Sequence, residues 1–563
     1  MSRVRIAALA GALMPLAALA QAPSQSLPQS LPGGGTPLLP SGDPCAACAA
    51  PASPVDAAAP VTAPASASFR LNDLRLNGAQ ALSAQDLRDL TAPSIGRDVN
   101  LADLQALAQA ITARYRERGY FLAQAIVPVQ TVRDGVVEIS VVEGRIGKMD
   151  VLVAPEAPIS EARVRGFLAP VTVGQAVNGP AYERAMLLLS DQPGLRVGSS
   201  LQEGTQSGTT DLAVEVNPGR RWSFSAEADN HGTKESGRYR VGGTVRWNSP
   251  AGIGDNLDLR LMVSNGNALQ FGRLSYEAPI GTSGLRAGVG ISRVNYALGG
   301  QFTELGAQGK ADVFDVSLNY PLIRQRQHNL FLRLSADSKR LTDDFTAVNF
   351  SARKRVSGVG LGWTWERRDE LLGGGYWASA GTLYHGKLSL RDADSFQADQ
   401  GLGGHGTEGG FSKASFQVSR LQAVLPQHTL YLALGGQWAS KNLDASEKLS
   451  LGGARAVRAY SSDEALVDQG LIGTVEWRWS YNAEFTPFVF YDAARGKATK
   501  HPSVYDIGSP WRSLRGAGIG LSWVRSGNFA INATLAWRAG TPLPQADGGK
   551  HGARLYVQAQ KSF

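Results

Sequence analysis

Three short stretches of this 563-residue sequence carry residue types whose spacing could do chemistry. Cys45-Ala-Ala-Cys48 has the spacing of a redox or metal pair, and Gly404-His-Gly-Thr-Glu-Gly409 has that of a dinucleotide fingerprint. Arg458 stands among small residues in 451–470, LGGARAVRAYSSDEALVDQG, a segment too irregular to be a strand. A redox CxxC belongs beside a strand–helix unit. A c-type haem site would need histidine where Ala49 stands, and zinc would need two further ligands nearby. Pro, Ser, Gly and Ala surround the two cysteines and read as a flexible tether. The expectation is an incidental small-loop disulfide or two free thiols. The glycine fingerprint needs a strand before it and a helix after it, whereas 404–409 falls in a Gly-rich loop between strand-like runs. The seven histidines are dispersed, with no i, i+4 pair. No catalytic residue, cofactor or metal is expected, and the chain reads as a non-enzyme. Arg458 belongs to none of these patterns, so its role rests on the elements around it.

Those elements begin with a leader. MSRVRIAALAGALMPLAALAQA has Arg3 and Arg5, an apolar run and Ala18-Leu-Ala20, the pattern of a signal peptide spanning 1–20. A Pro/Ala/Ser-rich linker follows over 21–68, with at most a short helix near 46–50. Past the leader no apolar run reaches the ~18 residues of a spanning helix, so a membrane would have to be crossed by strands. The net charge is +8 and the pI about 9.4. The basic residues are scattered singly rather than clustered, which argues against nucleic acid.

Residues 69–220 mix strands and helices. In 101–118, Leu104, Leu107, Ala108, Ile111 and Tyr115 share one helical face, with Asn100 as N-cap and Gly119 past the end. Strands are predicted at 121–129, 136–142 and 210–216, and helices at 160–168 and 180–190, giving two small α+β modules over 69–146 and 147–220. From Arg221 onward only strands are predicted. In 475–481, VEWRWSY, Val475, Trp477, Trp479 and Tyr481 share one face while Glu476, Arg478 and Ser480 share the other. This alternation, aromatics near strand ends and a last strand ending on Phe563 favour a membrane barrel over a soluble sandwich. Residues 221–563 accommodate about 16 antiparallel strands of roughly 9–11 residues with their turns. The fold class is α+β modules followed by an all-β transmembrane barrel.

This order resembles the two-partner secretion (type Vb) transporters, the hemolysin secretion/activation protein family of the outer-membrane insertase and translocator superfamily. Gly119-Tyr120, Ile126-Val-Pro128-Val-Gln130, Asp134-Gly135 and Val142-Glu143-Gly144 resemble a first POTRA (polypeptide-transport-associated) domain, and Asp191-Gln-Pro-Gly194 and Gly208-Thr-Thr-Asp-Leu212 a second. Val457-Arg458-Ala459-Tyr460 resembles the superfamily's sixth extracellular loop motif, Val-Arg-Gly-Tyr or Phe. The resemblance implies that this loop, near 445–470, folds into the lumen and that Arg458 meets Asp492 of a strand carrying Phe488 and Phe490. An arginine fork can grip a carboxylate through two parallel hydrogen bonds. Two positions depart from the pattern: Ala459 and Ala494 stand where glycines are usual, residues that permit close approach or positive φ.

The resemblance further implies a protein of the Gram-negative outer membrane with its POTRA pair in the periplasm. Its partners would be a large secreted exoprotein with an N-terminal secretion domain, outer-membrane lipid and lipopolysaccharide, and the barrel-assembly machinery during biogenesis, and the chain would act as a monomer. Tyr120, Pro128, Gln130, Glu143 and Gly144 are the expected client-binding positions, and Phe563 the C-terminal barrel signal. An outer-membrane insertase is the alternative reading, and a diffusion porin the weaker one, since a porin needs neither modules nor an internal loop.

Overall fold

The computed structural model describes residues 68–525, 529–540, 546 and 552–563. The leader, the Cys45/Cys48 pair and the linker lie outside these residues. Local signals set the helices of two small units. Helix Leu101–Glu117 opens with a reciprocal capping box between Asn100 and Asp103. It buries Leu104, Leu107, Ala108, Ile111 and Tyr115, the face read from the sequence. Gly119, at φ 93°, takes the chain out of the helix, and a side chain there would strike Pro180 of the second unit. Ser160 and Asn178 cap helices Glu161–Leu168 and Gly179–Ser190.

Each unit has a β-α-α-β-β core with a three-stranded sheet, to which the first unit adds a two-residue ladder of Phe69–Arg70 with Asp98–Val99. The core's first and last strands pair in parallel, Asp73–Asn77 with Val136–Val142 and Arg145–Val153 with Thr209–Pro218. A third strand lies antiparallel beside the last. The strand predicted over 121–129 shrinks to Gln124–Ile126. Residues 120–123 close a turn instead, and Pro128 has no N–H to extend the ladder. Helix Ala84–Thr91 and strand Leu195–Glu203 were not anticipated.

Sixteen of the remaining strands form a closed antiparallel barrel, from Trp222–Asp229 to Arg554–Ser562, with the last strand pairing to the first. In strand Gln469–Trp479, Val475, Trp477 and Trp479 are exposed while Glu476 and Arg478 are buried. A soluble protein would reverse this. An apolar outer face around a charged interior is the arrangement of a barrel in lipid. One end carries short turns and aromatic rings, Trp222 stacked on Trp247 and Phe485 on Trp523 at 5.0 and 5.8 Å. Phe563 ends the last strand there, its N–H donating to the Phe224 carbonyl at 2.9 Å. The second unit docks on the same end. Asp191 accepts from Arg324 Nε and Nη2 at 2.8 and 2.7 Å, and Arg184 Nη2 donates to the Pro321 carbonyl at 2.7 Å. At the opposite end, strands of 18 and 20 residues (His328–Phe345, Phe350–Asp369) outreach the bilayer.

The first unit uses most of its family-motif residues internally. Glu143 Oε1 accepts from the Gln80 and Ala81 amides at 2.5 and 2.6 Å and from the Tyr115 hydroxyl at 2.8 Å. Gly144, at φ 67°, lies where a Cβ would collide with Leu122. Gln130 donates to the Glu138 carbonyl and accepts from its N–H, standing in for a strand residue. Tyr120 packs edge-on against Tyr115, and Pro128 is half-buried. Glu143, Gly144 and Gln130 thus serve the unit's own packing through their polar groups and backbone. Ile126 and Val129 are the exposed apolar residues of that segment.

Burial opposes ionisation of Glu143, but the two amides, Tyr115 and Arg145 outweigh it and hold the carboxyl below its ordinary value. The unfolded chain therefore takes up the proton first. The stabilisation is whole above the ordinary glutamate range and fades as pH falls below it. Glu143→Gln is expected to cost about 1–3 kcal/mol of local stability. Hydrogen exchange at the Gln80 and Ala81 amides of the full chain should lose protection on acidification in the wild type, and already be low at neutral pH in the variant.

Candidate functional site: the loop inside the barrel

Residues 440–468 join strand His428–Ala439 to strand Gln469–Trp479 and turn inward rather than out. A short turn, Ala445–Glu447, and a two-residue ladder, Leu449–Ser450 with Leu466–Val467, give the loop its own frame. Leu451, Val457, Tyr460 and Val467 are buried against Phe490, Ala494, Leu514 and Ala536 of the wall. Apolar burial thus seats the loop, and polar contacts position it.

Arg458 Nε and Nη2 donate to Asp492 Oδ2 and Oδ1, both at 2.8 Å, and the Arg458 backbone N–H donates to Oδ2 at 3.1 Å. Thr474 Oγ1 donates to Oδ1 at 2.9 Å, so Asp492, at 0% exposure, receives four hydrogen bonds. Arg458 Nη1 reaches Glu476 Oε1 at 2.7 Å, and Arg478 Nε donates to Glu476 Oε2 at 2.8 Å. Two arginines and two carboxylates form a formally neutral quartet. The Arg458 guanidinium lies 3.5 Å from the centre of the Phe490 ring. Phe488, Phe490 and Asp492 alternate to the lumen from strand Phe485–Lys497, while Val489 and Tyr491 face out. The Tyr460 carbonyl accepts from the Tyr556 hydroxyl at 2.8 Å, tying the tip to the last strand.

The missing glycine has a structural answer. Ala459 has no positive φ, so its position needs no glycine for conformation. Its methyl faces Gly516 on strand Trp511–Arg525, where an added Cβ would stand 2.6 Å away. The small residue needed for close approach sits on the wall. Ala494 packs into the same apolar cluster and is likewise free of positive φ.

A second set of contacts was missed from the sequence. The loop's first turn presents Asp444 and Glu447 to three wall lysines. Lys339 Nζ and Lys413 Nζ meet Glu447 at 2.7 and 2.9 Å, and Lys354 Nζ meets Asp444 at 2.9 Å. Lys339 and Lys354 are buried, as are both carboxylates. Their strands, His328–Phe345 and Phe350–Asp369, are four and three places round the barrel from the strand that feeds the loop. The available signal was phase: each lysine falls on the inward face of its strand. Glu476 and Arg478 were legible the same way, on the polar face of VEWRWSY. Phe563 lies far from the loop, at the turn end.

A family model described as haemolysin secretion/activation protein ShlB/FhaC/HecB matches residues 208–523, and one described as POTRA domain, ShlB-type, matches 69–144. The chain is 28% identical over 493 residues to the Heme/hemopexin transporter protein HuxB of Haemophilus influenzae (strain 86-028NP), covering 86% of this chain and 85% of that one. It is 25% identical over 496 residues to Outer membrane transporter CdiB of Escherichia coli, covering 85% and 80%. The solved structure of CdiB from Escherichia coli superposes with a TM-score of 0.70 at 20% identity, over 90% of this chain and 93% of that one.

Removing one member of a buried ion pair costs about 3–5 kcal/mol, because the other charge is left uncompensated. Asp492→Ala is expected to unseat the loop tip and raise ion conductance in planar bilayers. Gly516→Val should do the same by steric displacement of Ala459 with every charge intact. Wild-type conductance from both variants would show that these contacts do not hold the loop.

Proposed function

The chain belongs to the haemolysin secretion/activation protein family ShlB/FhaC/HecB, outer-membrane two-partner secretion transporters with periplasmic POTRA domains, and from that premise we propose how this member works. The units over 69–146 and 147–220 receive one large exoprotein, unfolded, through its N-terminal secretion domain. The barrel, 221–563, passes it to the cell surface. The first unit takes the client by strand addition at a sheet edge, with Ile126 and Val129 beside that edge as apolar contacts. The second unit, pinned to the barrel turns through Asp191 and Arg324, delivers it to the lumen.

The observation that carries this reading is the loop strapped across the lumen by ion pairs at two places. The Arg458–Asp492 contact acts as a lock on its tip, and the lysine contacts hold its root. Export requires both to release, and ion pairs re-form once the client has passed. The chain acts as a monomer in lipopolysaccharide-bearing membrane after insertion by the barrel-assembly machinery, with no catalysis of its own. With no ATP in the periplasm, folding of the client outside supplies direction. The relatives' names span different cargoes, so the proposal commits to an exoprotein and not to its activity.

A reading frame for a very large β-helical repeat protein is expected beside this one, and its absence from the genome would overturn the proposal. Deleting 69–144 should abolish export of that client while the reconstituted barrel still conducts. Continued export would assign recognition elsewhere. Arg458→Asp combined with Asp492→Arg should recover part of the export lost in either single variant.

A further inference from the structure

The outer face of the barrel carries a one-sided cationic patch at its long-strand end. Strand register places Arg293, Asp312, Arg340 and Arg355 side by side on four neighbouring strands, Arg286–Ala297 to Phe350–Asp369. One row further out, Lys310, Thr342 and Arg353 line up likewise. One row inward, Lys387 opposes Ser357. All share the outward phase of Phe314, Leu334 and Val359, which are exposed on the apolar band. At ~3.4 Å per residue the arginine row stands about 7 Å beyond Phe314 along the strand, or about 5 Å along the axis at a tilt of roughly 35–45°, at the border between the apolar band and the headgroups. This end is opposite the one on which the second unit docks, so it faces the outer leaflet.

The patch is short of internal counter-charge. Asp312 is taken by Arg293 at 2.5 Å. Among the described residues no carboxylate lies within ion-pair distance of Arg340, Arg353, Arg355, Lys310 or Lys387. Arg355 Nε is buried without a hydrogen-bond partner. Arg340 and Arg355 are directly opposed across the ladder, and like charges so placed destabilise a sheet. Around the barrel in the other direction the arginine row continues as Gly272, Leu261 and Gly243, all uncharged. A general positive rim would have no such asymmetry.

We propose that this patch binds the phosphate groups of the outer-leaflet glycolipid, lipid A, with Arg340 and Arg355 sharing one phosphate. Guanidinium forks match phosphate oxygens in bidentate geometry. An anion between the two arginines turns repulsion into attraction. The lipid-facing position of these side chains excludes the exoprotein in the lumen as the occupant. Direct contact of this kind needs no bridging divalent cation.

The test uses the full-length protein in detergent micelles with EDTA, titrated with bisphosphorylated lipid A, with the same lipid dephosphorylated, and with inorganic phosphate, and read by native mass spectrometry. Bisphosphorylated lipid A is expected to bind, with the dephosphorylated lipid about tenfold weaker and free phosphate failing to compete. Arg340→Ser with Arg353→Ser and Arg355→Ser should weaken binding about tenfold, whereas Arg495→Ser with Lys497→Ser, on another sector, should leave it unchanged. Resistance of the barrel to cold SDS reports folding. If the triple variant fails to fold, Arg355→Ser alone is the deciding variant. Wild-type affinity in the deciding variant, equal loss in the Arg495/Lys497 control, or full competition by inorganic phosphate would each overturn the proposal.

Discussion

A carboxylate with no exposure to solvent, Asp492, sits inside the barrel wall and is satisfied by a residue from a different part of the chain. Much else follows from that constraint. A buried carboxylate without a partner is costly, so the strand that carries it is compatible only with a loop that returns into the lumen and brings Arg458. The loop in turn must bury its own backbone, which it does with a short ladder and an apolar cluster against Phe490, Ala494 and Leu514. Glu476 and Arg478 complete a neutral set, so no net charge is stranded.

The same logic works at the root of the loop. Lys339, Lys354 and Lys413 would be as unfavourable alone inside the barrel as Asp444 and Glu447 would be, and the two loop carboxylates with Asp343 of the wall balance the three lysines. Two polar attachments on different arcs of the wall make the loop a strap rather than a plug resting in the channel. Ion pairs with good geometry fix position more than they add stability, which suits an element that must hold its place and yet let go. The outer surface shows the converse. At Arg340 and Arg355, among the described residues, two like charges face each other across the ladder with no carboxylate in ion-pair reach, which is the ground for the lipid phosphate proposed there.

Much of this was legible beforehand, for identifiable reasons. Periodicity decides which helical residues are buried, and the five named in 101–118 are the five found. Period-two alternation with charges such as Glu476 on the minority face marks strands whose polar side turns inward, and chain length then limits their number. Local chemistry misled where tertiary contact overrode it. The strand read at 121–129 lost its ends to a turn and to Pro128, and Glu143 accepts from the Gln80 and Ala81 amides, a contact its spacing does not announce. The missing glycine at 459 was a matter of geometry and not of motif, answered by Gly516 some 57 residues away on the wall.

By itself the sequence determined the phase of each strand, the faces of the helices, their caps and the order of units, because all of these depend on neighbours within a few residues. Apart from the Arg458–Asp492 pair, which the family resemblance implied, only the tertiary structure decided which charges meet. Lys354 and Asp444 are separated by 90 positions, and nothing in the spacing of either predicts the other. Barrel closure sets that distance by register and curvature, which belong to the whole sheet. The contact of Arg458 with Glu476, the role of Gly516 and the facing arginines at 340 and 355 are therefore properties of the closed barrel rather than of any segment in it.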